Sequence, residues 1–292
     1  MAVTDLARYE MQHVSDLAGL CQLVHDTSDA VLLAGGTDFM VEVSQGPRRA
    51  DPLPLIVDIS RLDDLRGIDW DGTRLRIGAA ATYLELQRHP AVIENAPLIA
   101  RMTYDIGGPT IQARGTLGGN LATGSPAADG VAAIAAYDPI IEVASVRGSR
   151  RIAMADLQIG YKQSSRAADE VIVAIELTPP PPGTPWVWRK VGTRLAQAIS
   201  KVALGAVAVV EDGRATRFGA GMASVAPVTA LLPETRALVT STPLAELSAA
   251  AIDAAVDADV SPIDDVRSTQ RYRAHCARAV VRGFLRELGA PV

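Results

Sequence analysis

The sequence has few of the residues that bind metals. Its 292 residues include two cysteines and four histidines. Cys21 and Cys276 lie near opposite ends and neither belongs to a CxxC pair, which excludes an iron–sulfur cluster or thiolate zinc site made by this chain alone. The histidines are scattered, whereas ligand sets normally have paired spacing. A redox function would therefore require an organic cofactor.

Long apolar segments and a strong net charge are also lacking. The longest apolar runs, such as VALGAVAVV at 202–210, are far shorter than the roughly 20 residues that span a bilayer. The first residues, MAVTDLARYEMQH, have no apolar signal core. The net charge is −5 without a long basic run, which argues against nucleic acid or an anionic membrane as a partner. We expect a soluble, cytoplasmic protein with no membrane insertion.

The first part of the chain has the pattern of a small βαβ-like unit. Ser15 is expected to cap a helix. Short apolar runs at 31–34 and 55–60 predict two buried strands, with a glycine turn and a helix from Asp38 between them.

The pattern then changes to that of a helix-decorated, mostly antiparallel region. Asp71-Gly72 lies between alternating residues and predicts a β-hairpin. Thr82 and Glu85 form a capping box that opens a helix. We also expect a helix that begins at Ser125-Pro126, and two strands at about 139–146 and 170–177.

The clearest boundary is TPPPPGTP at 178–185, because four consecutive prolines cannot continue a sheet or a helix. We expect one domain at 1–178, with subdomains of about 1–60 and 61–178, and a C-terminal domain at 179–292. The latter is predicted to contain strands near 186–191, 201–210 and 215–224 followed by helices. Arginines 271, 273, 278, 282 and 286 of its last helix are expected to form mostly a solvated face.

Two glycine pairs carry the functional signal. Gly35-Gly36 follows an apolar strand, and Gly118-Gly119 lies beside Thr116 and Asn120. Successive exposed N–H groups in such loops form anion-binding nests, so two loops could grip a diphosphate from opposite sides. Neither loop is a Walker A or a GxGxxG sequence. Ordinary tight turns remain an alternative, because glycine serves those too.

Three segments give a more specific indication. AGGTDF, GTLGGNLATGSPAAD and RKVGTRLAQAISKV occur in this order, and the chain resembles the FAD-binding medium subunit of molybdenum hydroxylases, the xanthine dehydrogenase and carbon monoxide dehydrogenase family. The resemblance covers essentially the whole chain. It implies an α+β fold, with a two-subdomain FAD-binding domain (PCMH/vanillyl-alcohol-oxidase-like) followed by a C-terminal domain with an antiparallel sheet and a helical bundle.

The resemblance also implies which residues bind FAD. The first loop would approach the diphosphate, the second would contribute from the other side, apolar residues would line the flavin ring, and Lys190 would approach the carbonyl end of the ring. Asp129 would lie near the adenosine or the ring. In the alternative interpretation, Lys190 is an ordinary solvated residue of a strand. Asp129 would then only interact favourably with the dipole of the helix whose first turn it occupies. The implied residues are Leu32, Leu33, Ala34, Gly35, Gly36, Thr37, Asp38, Phe39, Ile106, Thr116, Leu117, Gly118, Gly119, Asn120, Asp129, Ile172, Val173 and Lys190.

The function implied by the resemblance is electron transfer inside a larger enzyme. A large molybdopterin subunit would hydroxylate the substrate, a small subunit would hold two [2Fe–2S] clusters, and this chain would pass the electrons from FAD to NAD or another acceptor. A heterotrimer or a dimer of heterotrimers is expected. Alternatives are a self-contained flavin oxidase or reductase and a non-enzymatic FAD-binding sensor. Many relatives carry Asp or Tyr where this chain has LAQAIS at 195–200, so the sequence leaves the acceptor open, as it does the substrate.

Overall fold

A computed structural model of the chain describes residues 9–45 and 53–292. Residues 1–8, on which the expectation about a signal core partly depends, lie outside the described residues. Within those ranges no helix is both long and apolar enough to cross a bilayer. The strands are β1 (Met11–His13), β2 (Val31–Leu33), β3 (Ile56–Asp58), β4 (Ile68–Trp70), β5 (Leu75–Gly78), β6 (Ile140–Ser145), β7 (Gly148–Ala153), β8 (Gln158–Gly160), β9 (Gln163–Ser164), β10 (Val171–Leu177), β11 (Trp186–Val191), β12 (Val202–Glu211) and β13 (Arg214–Ala223). The helices are α1 (Leu17–Asp26), α2 (Thr37–Gln45), α3 (Tyr83–Arg88), α4 (Pro90–Asn95), α5 (Pro97–Thr103), α6 (Pro109–Gln112), α7 (Leu117–Thr123), α8 (Asp129–Ala135), α9 (Met154–Leu157), α10 (Pro233–Ser241), α11 (Ala249–Asp259) and α12 (Gln270–Glu287).

The predicted βαβ-like unit is a parallel sheet of three strands in the order β1-β3-β2. Strand β1 escaped prediction because its three residues are exposed and have no apolar alternation. Helix α1 is capped by Asp16, which accepts a hydrogen bond from the N–H of Gly19 at 2.7 Å, and not by Ser15. Because the strands are parallel, their carboxyl ends meet at one edge, where the glycine turn after Leu33 begins.

The middle of the chain forms an antiparallel sheet of five strands in the order β4-β5-β10-β6-β7. The predicted hairpin and capping box are both confirmed: Thr82 accepts from the N–H of Glu85, and the Glu85 carboxylate accepts from that of Thr82. Helix α8 begins at Asp129 and not at Ser125. The hydroxyl oxygen of Ser125 accepts a hydrogen bond from the N–H of Ala127, and its carbonyl oxygen accepts one from the N–H of Ala128. These two bonds close a separate turn before the helix.

The predicted proline connector has no regular structure between β10 and β11. Strands β11, β12 and β13 then form an antiparallel sheet, and α10, α11 and α12 pack with it around a common apolar cluster. The overall fold is therefore the predicted α+β arrangement with a C-terminal antiparallel sheet and helices. Helix α10 was not predicted.

Helix α8 packs on the C-terminal sheet with almost no space between the backbones. A Cβ atom on Gly219 would lie 2.1 Å from the carbonyl oxygen of Ala136, and one on Gly221 would lie 2.4 Å from that of Ala132. Gly205 of β12 makes a similar approach, at 2.9 Å from the Ala132 oxygen. These three glycines, called the glycine stripe below, bring α8 directly against β12 and β13.

Asp169, just before β10, links the five-stranded sheet to helix α1 of the first region. Asp169 accepts two hydrogen bonds from Arg147, at 2.5 and 2.8 Å, and lies 3.5 Å from Nδ1 of His25 on α1. The hydrogen bond from Arg147 is the main cause that lowers the pKa of Asp169 to about 2.

We expect Asp169→Asn to lower stability at neutral pH and the deficit to disappear in acid. Because the pKa of Asp169 is lower in the folded chain, the carboxylate contributes stability above its unfolded value near 3.8, and this contribution is lost as the pH falls toward about 2. Urea midpoints of the two proteins measured between neutral pH and about pH 2 test this. Asp156→Asn, on the exposed side of α9, is the control. A deficit that is constant with pH would contradict the expectation.

Candidate functional site

The first glycine loop lies at the carboxyl edge of the parallel sheet. Strand β2 ends at Leu33, and α2 starts at Thr37 with Gly36 before it. The carbonyl of Gly36 accepts the first helical hydrogen bond, from Met40 at 2.9 Å. Gly36 has a φ of +72°, a conformation that glycine adopts without strain. The turn therefore depends on glycine at this position.

This loop presents backbone donors that have no acceptor among the described residues. In the part of the chain that the structure describes, no acceptor is bound by the N–H groups of Gly35, Gly36, Thr37 and Asp38. The first N–H groups of a helix have no intrahelical acceptor, and they lie at the positive end of its dipole. Gly36 also has no side chain that could cap them. The loop thus has the donors of an anion site such as a diphosphate requires.

The two glycine loops are in direct contact. A Cβ atom on Gly35 would lie 2.0 Å from the carbonyl oxygen of Arg114, just before the second loop. The hydroxyl of Thr123, at the end of α7, donates to the carboxylate of Asp38 at 2.9 Å. The loops predicted from separate parts of the sequence therefore form one surface.

The second loop differs from the expected nest, because its backbone donors are already used. The N–H of Leu117 donates to Ala81, that of Gly118 to Ala79 at 3.0 Å, and that of Gly119 to the hydroxyl of Thr116 at 3.0 Å. A Cβ atom on Gly118 would lie 2.5 Å from the carbonyl of Ala79. The prediction that these N–H groups form a nest is wrong: Gly118 packs the start of α7 against Ala79, just after β5, and Gly119 leaves room for the Thr116 hydroxyl.

What the second loop can offer a ligand is a side chain. Asn120 is half-buried, and its Oδ1 accepts the N–H of Val131 at 3.3 Å, which fixes the orientation of the amide. Its amide nitrogen is then the donor that remains for a ligand.

Lys190 and Asp129 form a buried ion pair. Their Nζ and Oδ2 atoms are 2.6 Å apart, and their side chains are only 10% and 8% exposed. Nζ also donates to the carbonyl of Asp105 at 2.8 Å, while the hydroxyl of Ser200 donates to Asp129 Oδ1 at 2.5 Å. The reading of Lys190 as a solvated strand residue is therefore wrong, and Asp129 does more than complement a helix dipole.

The electrostatics of this pair are those of charges removed from water. Burial is the largest influence on Asp129 and raises its pKa above the ordinary value, although Lys190 and the Ser200 hydroxyl act in the opposite direction. The Lys190 ammonium, 2.6 Å from the carboxylate, opposes this rise in pKa because it interacts favourably with the charged form.

The apolar residues predicted to line a ring occupy different surroundings. Ile106 is half-buried, next to Asp105, and packs against the main core. Ile172 lines a cavity of about 30 Å³ together with Leu121 of α7. Val173 is 2% exposed and packs in the cluster around α1, so its side chain cannot contact a ligand in this conformation.

Several residues near the site carry no sequence signal. Arg114 is exposed beside Gly35, and Asp58 ends β3 at the same sheet edge as the first loop. Burial opposes ionisation of Asp58, but hydrogen bonds from Ser60 and the charges of His13 and Arg114 lower its pKa. The hydroxyl of Tyr83 is buried beside Gly130 and has no partner in the described part of the chain, and it is too enclosed for a ligand to touch. Among the residues described, no three His, Cys, Asp or Glu side chains are grouped as a metal site would need.

Comparison with known proteins gives a consistent result along most of the chain. Residues 7–180 match the family model described as the FAD binding domain in molybdopterin dehydrogenase, and residues 188–288 match the CO dehydrogenase flavoprotein C-terminal domain. The carbon monoxide dehydrogenase medium chain of Hydrogenophaga pseudoflava is 31% identical over 88% of each chain. The xanthine dehydrogenase FAD-binding subunit of Escherichia coli O157:H7 is 29% identical over 97% of this chain and 96% of that one. A chain in the solved Hydrogenophaga pseudoflava carbon monoxide dehydrogenase lacking the Mo-pyranopterin moiety superposes with a TM-score of 0.87 at 26% identity, over 94% of this chain and 95% of that one.

Proposed function

We infer that this chain, which belongs to the family of FAD-binding subunits of molybdopterin dehydrogenases, receives electrons from iron–sulfur clusters of a partner subunit and delivers them to an external acceptor. When bound, FAD supplies a centre that accepts electrons singly and releases them as a pair. The acceptor is proposed to be NAD or another soluble carrier. The partners are proposed to be a small [2Fe–2S] subunit and a large molybdopterin subunit, in a heterotrimer or a dimer of heterotrimers.

The observation that carries the proposal is the set of unused N–H groups in the first glycine loop. Four consecutive donors at the positive end of α2, without an acceptor among the described residues, suit the negative charge of a diphosphate. The adjoining Asn120 offers a further donor from the second loop. We propose that residues 32–39 and 116–120 hold FAD between them, within a domain at 1–178 that a C-terminal domain at 179–292 completes.

The Lys190–Asp129 pair is proposed to lie at the flavin end of the site, with Ile106 and Ile172 beside the ring. A positive charge near the ring favours the reduced, anionic form and raises the midpoint potential. Because Asp129 partly offsets that charge, the pair as a whole sets the potential. The side chain of Val173, which is buried in the cluster around α1, is not proposed to contact the ring.

We expect opposite shifts in flavin midpoint potential when the two charges are removed one at a time. Lys190→Met leaves Asp129 alone and lowers the potential, whereas Asp129→Asn leaves Lys190 alone and raises it. A charge interaction of about 1–4 kcal/mol corresponds to roughly 20–90 mV for a two-electron couple.

A redox titration of the FAD-loaded chain measures both shifts. Arg189→Met, which removes the exposed cation next to Lys190 on the same strand, is the control. Shifts of the same sign in both variants would point to a general disturbance and remove the proposed contact.

The place of the chain in electron transfer is tested with the assembled complex. When organic substrate is added without oxygen, the flavin should bleach only if the cluster subunit and the molybdopterin subunit are present. Equally fast bleaching of the isolated chain would favour the self-contained flavin oxidase. No bleaching in any combination would favour the sensor.

A further inference from the structure

The buried ion pair is continued by two serines. Ser200, 1% exposed, donates from its hydroxyl to Asp129, and the hydroxyl of Ser224 donates to the carbonyl of Ser200 at 2.8 Å. Ser200 occupies one oxygen of the carboxylate and leaves the other directed at Lys190. The position of the ammonium therefore depends on where the backbone holds Ser200.

Arg273 fixes that part of the backbone. The sequence placed this residue on a solvated face of α12, yet it is only 3% exposed. Its Nη1 donates to the carbonyls of Lys201 and Ser224, each at 2.8 Å, and Nη2 donates to Asp265 at 2.8 Å. Burying a guanidinium is costly unless its donors are paired, and these three hydrogen bonds from Nη1 and Nη2 hold both strand ends where they meet. Nε is buried without a partner among the described residues.

We propose that Ser200 and Arg273 are positioning residues for the flavin, which hold the Lys190–Asp129 pair in the orientation that sets the potential. This inference rests on the proposed function of the chain. Arg273 ties the start of β12 to the end of β13, Ser200 is thereby held against Asp129, and Asp129 holds the ammonium against the carbonyl of Asp105. Neither positioning residue needs to touch the cofactor.

Ser200→Ala tests the contact nearest to the pair. The variant removes one hydroxyl, so the full chain should still bind FAD with a dissociation constant within about threefold of the wild-type value. Without the hydrogen bond the charge of Asp129 is less compensated, and the midpoint potential should move to a lower value. Ser241→Ala, an exposed serine at the end of α10, is the matched control and should leave the potential unchanged.

Arg273→Gln tests the more distant contact, with Arg278→Gln on the same helix as its control. We expect a lower midpoint potential for Arg273→Gln only. If this variant does not fold, Ser200→Ala decides alone. A wild-type potential in Ser200→Ala, while Lys190→Met shifts it, would overturn the inference and leave the proposed function intact. No shift in Lys190→Met would overturn the inference together with the proposed flavin contact of Lys190.

Discussion

Gly36→Val is expected to abolish FAD retention by the full chain. The protein has room for a Cβ atom at this position, since the nearest atom, Leu33 Cδ1, would be 3.4 Å away. The obstacle is the φ of +72°, which a β-branched residue adopts only with strain of roughly 1–3 kcal/mol. Relief of that strain changes the loop, and the N–H groups of residues 35–38 no longer converge. Losing two hydrogen bonds to a charged group, at roughly 1.5–3 kcal/mol each, weakens binding about 10²–10⁴-fold.

The control for this variant is Gly213→Val. Gly213 has a φ of +75° in the turn between β12 and β13, with no atom within 4 Å of an added Cβ. It carries the same backbone strain away from the site. FAD content after gel filtration should therefore remain normal in Gly213→Val. Equal flavin loss in both variants, or full occupancy in Gly36→Val, would contradict the diphosphate role of the first loop.

Lys190→Met should destabilise the FAD-free chain by about 3–5 kcal/mol, because it leaves the carboxylate of Asp129 buried without its partner. Asp129→Asn in the same chain removes the orphaned charge, so the double variant should recover most of the loss. Denaturant unfolding of the wild type, the two single variants and the double variant gives the coupling energy directly.

The neighbouring residue supplies the control. Arg189→Met breaks the pair of Arg189 with Glu287, whose side chains are 61% and 53% exposed, and such a surface pair contributes only about 0–1 kcal/mol. If Lys190→Met cost no more than Arg189→Met, the burial of the pair would have no energetic consequence. A double variant as unstable as Lys190→Met would mean that packing, and not charge, determines the effect.

Local patterns were sufficient to predict much of the fold. The capping box of Thr82 and Glu85 could be predicted because its two residues lie within one helical turn. The turn at Asp71-Gly72 could be predicted because its hydrogen bonds also join residues close together in the sequence. The boundary of α8 was missed because Ser125 has the side chain of a helix cap but uses it in a separate turn. Short exposed strands such as β1 have no pattern that reveals them.

The site could be predicted only in part, because its decisive contacts join distant residues. Gly36 is identified by its neighbours along the chain, but the acceptors that occupy the second loop belong to Ala79 and Ala81. Lys190 and Asp129 are 61 positions apart. Arg273 has the spacing of an exposed helix residue, and its burial depends on a turn at Asp265 and on the ends of two strands.

The glycine stripe bears on how segments could be exchanged between related chains. The proline connector at 178–185 looks like the natural junction for a chimera, but α8 belongs to the sequence before it and the stripe to the sequence after it. Because one added methyl group would come within 2.1 Å of a carbonyl oxygen, the two surfaces must be inherited together. A transplanted C-terminal half should therefore fold only when residues 129–136 come from the same donor as residues 205–221.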